Sequence, residues 1–459
     1  MAGEERRLLS NEDTGDVKRA STSYRLRTIS VICGGLLVHL CLGSYYIFGN
    51  ISPYMISYLR NRTTEHTLSN VDNLWIVNAG AIVAPFGMTL GGILDRHFGV
   101  KIAVFSGCFL FCCGVAATYF TIQKSLVLVS LTYGALTNFG SSVAYGPPAQ
   151  TCCKWLPSRP TFAVGIIVCG FGGGAFIFNQ VATRFINPDN LSPDFENTDG
   201  QKYFTDKHVL DRVPGIFLLL AGIYVVSQTI GILIIADPPD YKNLAKMPDD
   251  NGSDRNLQRP STKQLLLGAL KNKNMYVVVI FLCFVFGGTQ FAINLYKAYG
   301  QTFISDDHFF ALVGSISSVF NALSRPLWGL LMDRYGFQVA SKILATSFVC
   351  LSFTIVNSEH LGKAAFFIWI CATYATFSGI FALTPSALGK LFGIENMAIV
   401  MGFNFFAVAA ATIAGGLIGI NLESVLGWHG LFFLAGCLGI GAFIVTFFFD
   451  GKDSEGKMI

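Results

Sequence analysis

Charge is what this sequence lacks. Of its 459 residues only 13% are Asp, Glu, Lys or Arg, against about 25% in an ordinary soluble domain. The formal net charge of +4 says little by itself, and no nucleic-acid partner is expected. The opening "MAGEERRLLSNEDTGD" has no apolar core, so no cleavable signal peptide is expected. All twelve cysteines lie in or beside apolar stretches, and none has a zinc-ligand spacing or a partner in a polar loop. No nucleophile–base set or phosphate loop is present, so neither enzymatic activity nor a cofactor or metal is expected. Asp and Glu are also missing from the middle of every apolar stretch, which excludes a carboxylate proton relay there.

What is present is hydrophobicity in blocks. Hydrophobic residues make up 52% of the chain, and they arrive in runs of about 20, enough to cross ~30 Å of hydrocarbon as helix. Twelve blocks centre near 28–50, 73–94, 101–122, 125–148, 162–186, 214–236, 275–298, 309–332, 338–356, 364–388, 396–420 and 428–449. The expected class is an all-α polytopic membrane protein with 12 transmembrane helices, its first partner the lipid bilayer. Basic residues crowd the N-terminus (Arg6, Arg7, Lys18, Arg19, Arg25, Arg27) and the stretch Lys242–Lys273. With twelve crossings, both tails and that stretch then belong in the cytoplasm. The exception is the loop from Asn187 to Pro214, which carries Lys202, Lys207 and Arg212 and is long enough to obey the rule weakly.

The longest polar interior stretch, "DPPDYKNLAKMPDDNGSDRNLQRPSTKQ", divides six blocks from six. The expected organisation is a tail 1–27, a six-helix bundle 28–236, a linker 237–272, a second bundle 273–449 and a tail 450–459. "LLLGALKNKN" reads as a short surface helix leading into the seventh span. The halves echo each other. "GGILDRHFG" ends the second block and "GLLMDRYG" the eighth, placing Asp95-Arg96 and Asp333-Arg334 at matching positions, 238 residues apart. Each Asp suits the N–H groups at a helix N-terminus, and each Arg a carbonyl or carboxylate.

Twelve spans, a six-plus-six division and paired D-R loops resemble the major facilitator superfamily. That resemblance implies two six-helix bundles around a central site opened to each side in turn, in a chain that works as a monomer. Within it, "YGALTNFGSSVAYGPPAQTCCKWLPSRPTFAVGIIVCGFGGGAF", "LGSYYIF", "NALSRPLWGLLMDRYG" and "GIFALTPSALGKLFGIENMAIVMG" are similar to motifs of the oxalate/formate antiporter family, a neighbour of the monocarboxylate transporters. The resemblance implies a transporter of a small organic anion, with protons or a counter-anion as coupling partner. Val408 stands where the well-studied oxalate carrier has a second cation, and Asn321 where the monocarboxylate family has an aspartate. A monocarboxylate therefore fits better than a dicarboxylate. Two other readings stay open: a carrier for an amino acid or nucleoside, and a transporter-like receptor without flux.

Arg325 is the main candidate for the site. It lies eight residues before Asp333, roughly 12 Å along a helix, and a charge at that depth costs about 2.5–3.5 kcal/mol on insertion scales. Either its guanidinium forks onto a substrate carboxylate, or it ties to backbone carbonyls near Pro326. Asn321 shares its stripe. Tyr45, Tyr145, Gln290, Tyr374, Ser378 and Asn404 are further cavity candidates, each equally suited to an interhelical hydrogen bond. His39 is the one titratable group that can carry a coupling proton, or it donates to a neighbouring helix. "GFGGGA" reads as close helix packing. Asn61-Arg62-Thr63 and Asn190-Leu191-Ser192 are glycosylation triplets in expected external loops, and "EERRLL" resembles an acidic dileucine signal. The expected address is the plasma membrane or an endosomal or lysosomal membrane.

Overall fold

The computed structural model describes residues 24–68, 70–189, 191, 193–196, 202–238, 261–294, 296–300, 303–304, 307–452 and 459. The dileucine stretch, Asn190 and most of the expected linker lie outside these residues.

Apolar blocks become long helices because their backbone groups have no other partner in hydrocarbon. The first half contains α1 (Tyr24–Arg62), α2 (Trp75–Phe98), α3 (Val100–Thr121), α4 (Leu126–Trp155), α5 (Pro160–Ile186) and α6 (Lys207–Ile234). A two-stranded antiparallel pair, Phe195–Glu196 with Lys202–Tyr203, lies between α5 and α6. The second half contains α7 (Thr262–Lys271), α8 (Lys273–Asn294), α9 (Asp307–Tyr335), α10 (Phe337–Leu361), α11 (Lys363–Phe392), α12 (Ile394–Gly415) and α13 (Leu426–Thr446). The short surface helix expected before the seventh span is α7. Ser261 and Gln264 close a capping box at its start, and it meets α8 at 78°.

Among the described residues, ten helices are long and apolar enough to cross a membrane, and the bent α7–α8 pair makes an eleventh. The remaining long helix is α9, with 29 residues. Its serines, Asn321 and Arg325 make it more polar than its neighbours. A count of twelve depends on this member.

Glycine closes both motif turns. Gly99 (φ 85°, ψ 165°) follows α2 and Gly336 (φ 82°, ψ 169°) follows α9, so the repeated sequence is repeated in backbone shape. A side chain at either position is strained. Apolar packing forms one core wholly within the first half, from Val38 to Ile235. A second core joins Tyr145, Ala149, Trp155, Ala163 and Val168 of α4 and α5 to residues of α8 through α13. The two halves are therefore packed together on the side that carries the motifs.

Candidate functional site

The α5–α9 crossing positions the site. A Cβ on Gly165 would lie 2.6 Å from the carbonyl oxygen of Arg325, and one on Gly329 would lie 2.6 Å from that of Thr161. A Cβ on Gly172 would come 3.0 Å from Ala322 Cα. Further along the same run, Gly170 and Gly174 press on the Leu36 and Leu40 carbonyls of α1. The "GFGGGA" run is thus a helix-packing surface, and it brings two backbones close enough for side chains of one to reach carbonyls of the other.

Arg325 uses that closeness. It is fully buried. Its Nη1 donates to the Val168 carbonyl of α5 at 2.6 Å, and its Nη2 to Asn321 Oδ1 at 2.7 Å. The guanidinium carbon sits 4.6 Å from the centre of the Phe381 ring. Nε has no hydrogen-bond partner, and no described carboxylate pairs with the side chain. Two charge-assisted bonds at about 1.5–3 kcal/mol each offset part of the cost of burial. They leave the positive charge itself uncompensated.

An aromatic path approaches this cation. Tyr46, partly exposed, meets Phe171 edge-on at 5.5 Å; Phe171 meets Tyr145 at 5.3 Å; Tyr145 lies 5.1 Å from His39. Tyr145 is buried and its hydroxyl has no partner. His39 is also fully buried. Its Nδ1 lies 3.1 Å from the Gly35 carbonyl, which can only accept, so Nδ1 carries a proton. Nε2 has no partner.

The other candidates separate. Asn321 also donates to the Tyr374 carbonyl at 3.3 Å, and the Tyr374 hydroxyl donates to the Ile293 carbonyl at 3.4 Å. Ser378 is buried with its hydroxyl spent on the Ala375 carbonyl. Tyr45 lines a small pocket inside the first half, with Ser44, Tyr133 and Asn138. Asn404 lines a different pocket, with Phe381 and Thr384. The Gln290 side chain lies outside the described residues. Phe381 and Val168 were missed from sequence. Phe381 stands inside the quoted "GIFALTP" stretch, whereas Val168 contributes only a carbonyl, which no side-chain pattern reveals.

The motif residues form an asymmetric pair. Asp333 accepts from the backbone N–H groups of Thr161 (3.1 Å) and Phe162 (2.8 Å), capping α5 across the seam, with Lys390 at 3.7 Å. Arg334 is exposed, over the Tyr335 ring. Asp95 is buried, and neither of its oxygens has a hydrogen-bond partner. It lies close to the buried Lys154–Asp237 pair (2.9 Å).

This geometry, an uncompensated buried cation at the seam of two packed helical halves, agrees with the comparisons. The Major Facilitator Superfamily sequence model matches residues 35–380 and 295–457. The chain belongs to that superfamily. Members are transporters rather than enzymes, and this chain is a multi-pass membrane transporter. Apicoplast pyruvate carrier 1 of Toxoplasma gondii is 24% identical over 480 residues, covering 91% of this chain and 88% of its own. The oxalate:formate antiporter of Oxalobacter formigenes is 23% identical over 414 residues, covering 88% and 90%. The Escherichia coli fucose:proton symporter has the same fold, with a TM-score of 0.63 at 15% identity over 93% of this chain and 99% of its own.

The first triplet begins in the last turn of α1 rather than in a loop, and Asn61 donates from Nδ2 to the Ser57 (2.9 Å) and Phe204 (3.2 Å) carbonyls. That is the atom a glycan would occupy.

Proposed function

We propose that this transporter carries a small monocarboxylate by alternating access, through twelve spans in halves 28–236 and 273–449. The observation behind this reading is that Arg325 is fully buried at the seam with no described counter-charge and with Nε unpartnered. A substrate carboxylate supplies the missing anion. It replaces the Val168 carbonyl on Nη1, so binding loosens the contact between α5 and α9. A carrier of this kind needs substrate and the seam to compete for one cation, because that competition couples occupancy to movement. The named relatives include carriers of pyruvate and of oxalate and formate, which supports an anionic substrate. Asn321 and Tyr145 are the polar neighbours best placed to complete the site. His39 takes the coupling proton at Nε2.

The two D-R motifs stand at the cytoplasmic end, with both termini on that side. The Asp333 cap holds that end shut, and the chain acts as a monomer in the plasma membrane or an endosomal or lysosomal membrane. A sugar at Asn61 would require both of its Nδ2 hydrogen bonds to be given up.

The test is uptake of labelled pyruvate, lactate, formate, oxalate, an amino acid and a nucleoside into proteoliposomes at two pH values. Monocarboxylate flux that rises at the acidic pH supports the reading. Binding without flux of any acid, or flux of the neutral solutes alone, contradicts it.

A further inference from the structure

We propose that the pocket behind Phe381 is a hydroxyl subsite, which makes the carried acid a hydroxy monocarboxylate. This rests on the carboxylate reading of Arg325 and adds a second recognised group to it.

Phe381 has two neighbours of different kinds. Arg325 lies 4.6 Å from its ring centre, and the ring also lines a cavity of ≈ 20 Å³ with Phe286, Met401, Asn404 and Thr384. That is room for about one water-sized group. The lining is almost wholly apolar apart from two side chains, and both are unsatisfied.

Asn404 is fully buried. Its Nδ2 donates to the Val400 carbonyl at 3.2 Å and lies 3.4 Å from Met275 Sδ. A carbonyl accepts and never donates, so these contacts fix the amide orientation. Oδ1 is thereby left as a bare acceptor, without a partner. Thr384 is 4% exposed, and its hydroxyl is unpartnered too. A helical threonine ordinarily returns its proton to the carbonyl one turn back, as Thr412 does to Val408. Thr384 makes no such bond.

The pair therefore offers one acceptor and one hydroxyl. A keto oxygen satisfies only the Thr384 proton and leaves Asn404 Oδ1 bare. A methyl group satisfies neither. A substrate hydroxyl donates to Asn404 Oδ1 and accepts from Thr384 Oγ1, so both orphan atoms are matched at once. Phe381 touches both the guanidinium and this subsite, so the carboxylate and the hydroxyl would be recognised around one side chain.

The experiment uses the full chain in proteoliposomes and counterflow of two matched pairs, L-lactate against propionate and 3-hydroxybutyrate against butyrate. The hydroxy member is carried ~10-fold or more faster in at least one pair, because a site built to bond a hydroxyl rejects the analogue without it. The favoured pair also gives the position of the hydroxyl. Asn404→Leu brings that ratio towards one, and Thr384→Val lowers it part of the way. A ratio is independent of how much protein folds. Ratios near one in both wild-type pairs, or a ratio unchanged in Asn404→Leu, overturn the subsite while leaving the carboxylate reading in place. Flux of none of the four acids overturns the carboxylate reading and the subsite with it.

Discussion

Arg325 donates to the Val168 carbonyl across 2.6 Å, so a cation of the second half is held by the backbone of the first. The contact exists because Gly165 and Gly172 let α5 lie against α9. It joins the energetics of the seam to those of the site, since whatever competes for the guanidinium also competes with closure.

Asp333 is the corresponding contact at the motif end. Removing an N-terminal cap costs about 1–2 kcal/mol, which shifts a two-state equilibrium roughly five- to thirtyfold. Asp333→Ala is therefore expected to expose the motif end more often. Cys153 is a suitable reporter, being 1% exposed with its thiol 3.4 Å from the Pro160 carbonyl beside the same cap. Alkylation of the Cys153 peptide, followed by mass spectrometry, should be several-fold faster in the variant. Equal rates would show that the cap does not hold this end shut.

The glycines of the seam should differ sharply from glycines elsewhere. A Cβ at position 165 meets the Arg325 carbonyl at 2.6 Å, whereas one at Gly222 meets nothing within 4 Å. Gly165→Ala is expected to cost about 1–3 kcal/mol through overpacking, and Gly222→Ala to be neutral or to gain about 0.5–1 kcal/mol from helix propensity. Thermal unfolding in detergent measures both. A midpoint for Gly165→Ala equal to that of the parent would mean that the seam is looser than described.

His39 makes a claim about pH. Nδ1 is committed to Gly35 and Nε2 is open, so protonation at Nε2 is the available change. His39→Gln keeps a polar side chain but cannot gain that proton. Its monocarboxylate uptake should lose the acid stimulation of the parent and become independent of pH. A retained pH profile assigns the coupling proton elsewhere.

Much of the fold was legible because hydrocarbon imposes a simple length rule, and because two copies of a D-R-aromatic-glycine turn stand in register. Gly99 and Gly336 confirm that register in backbone angles. The candidate site was legible only where a single residue violated the solvent rule, as Arg325 does. Phe381 and Thr384 looked like ordinary core residues, since an aromatic and a threonine in an apolar helix signal nothing by themselves. Val168 could not have been found, because its contribution is a carbonyl. The asymmetry between Asp333 and Asp95 was equally hidden. Both sit in the same motif, and only packing decides which of them meets a helix N-terminus.

The central claim is that Arg325 binds a substrate carboxylate. Arg325→Lys keeps the charge and removes the planar fork, and the loss of one charge-assisted bond, about 1.5–3 kcal/mol, corresponds to roughly ten- to hundredfold. The decisive measurement is uptake of labelled monocarboxylate by parent and variant, reconstituted at matched protein amounts. A fall of that size with normal membrane insertion is the result predicted. Uptake equal to the parent would contradict it and leave Arg325 as a tie between two helices.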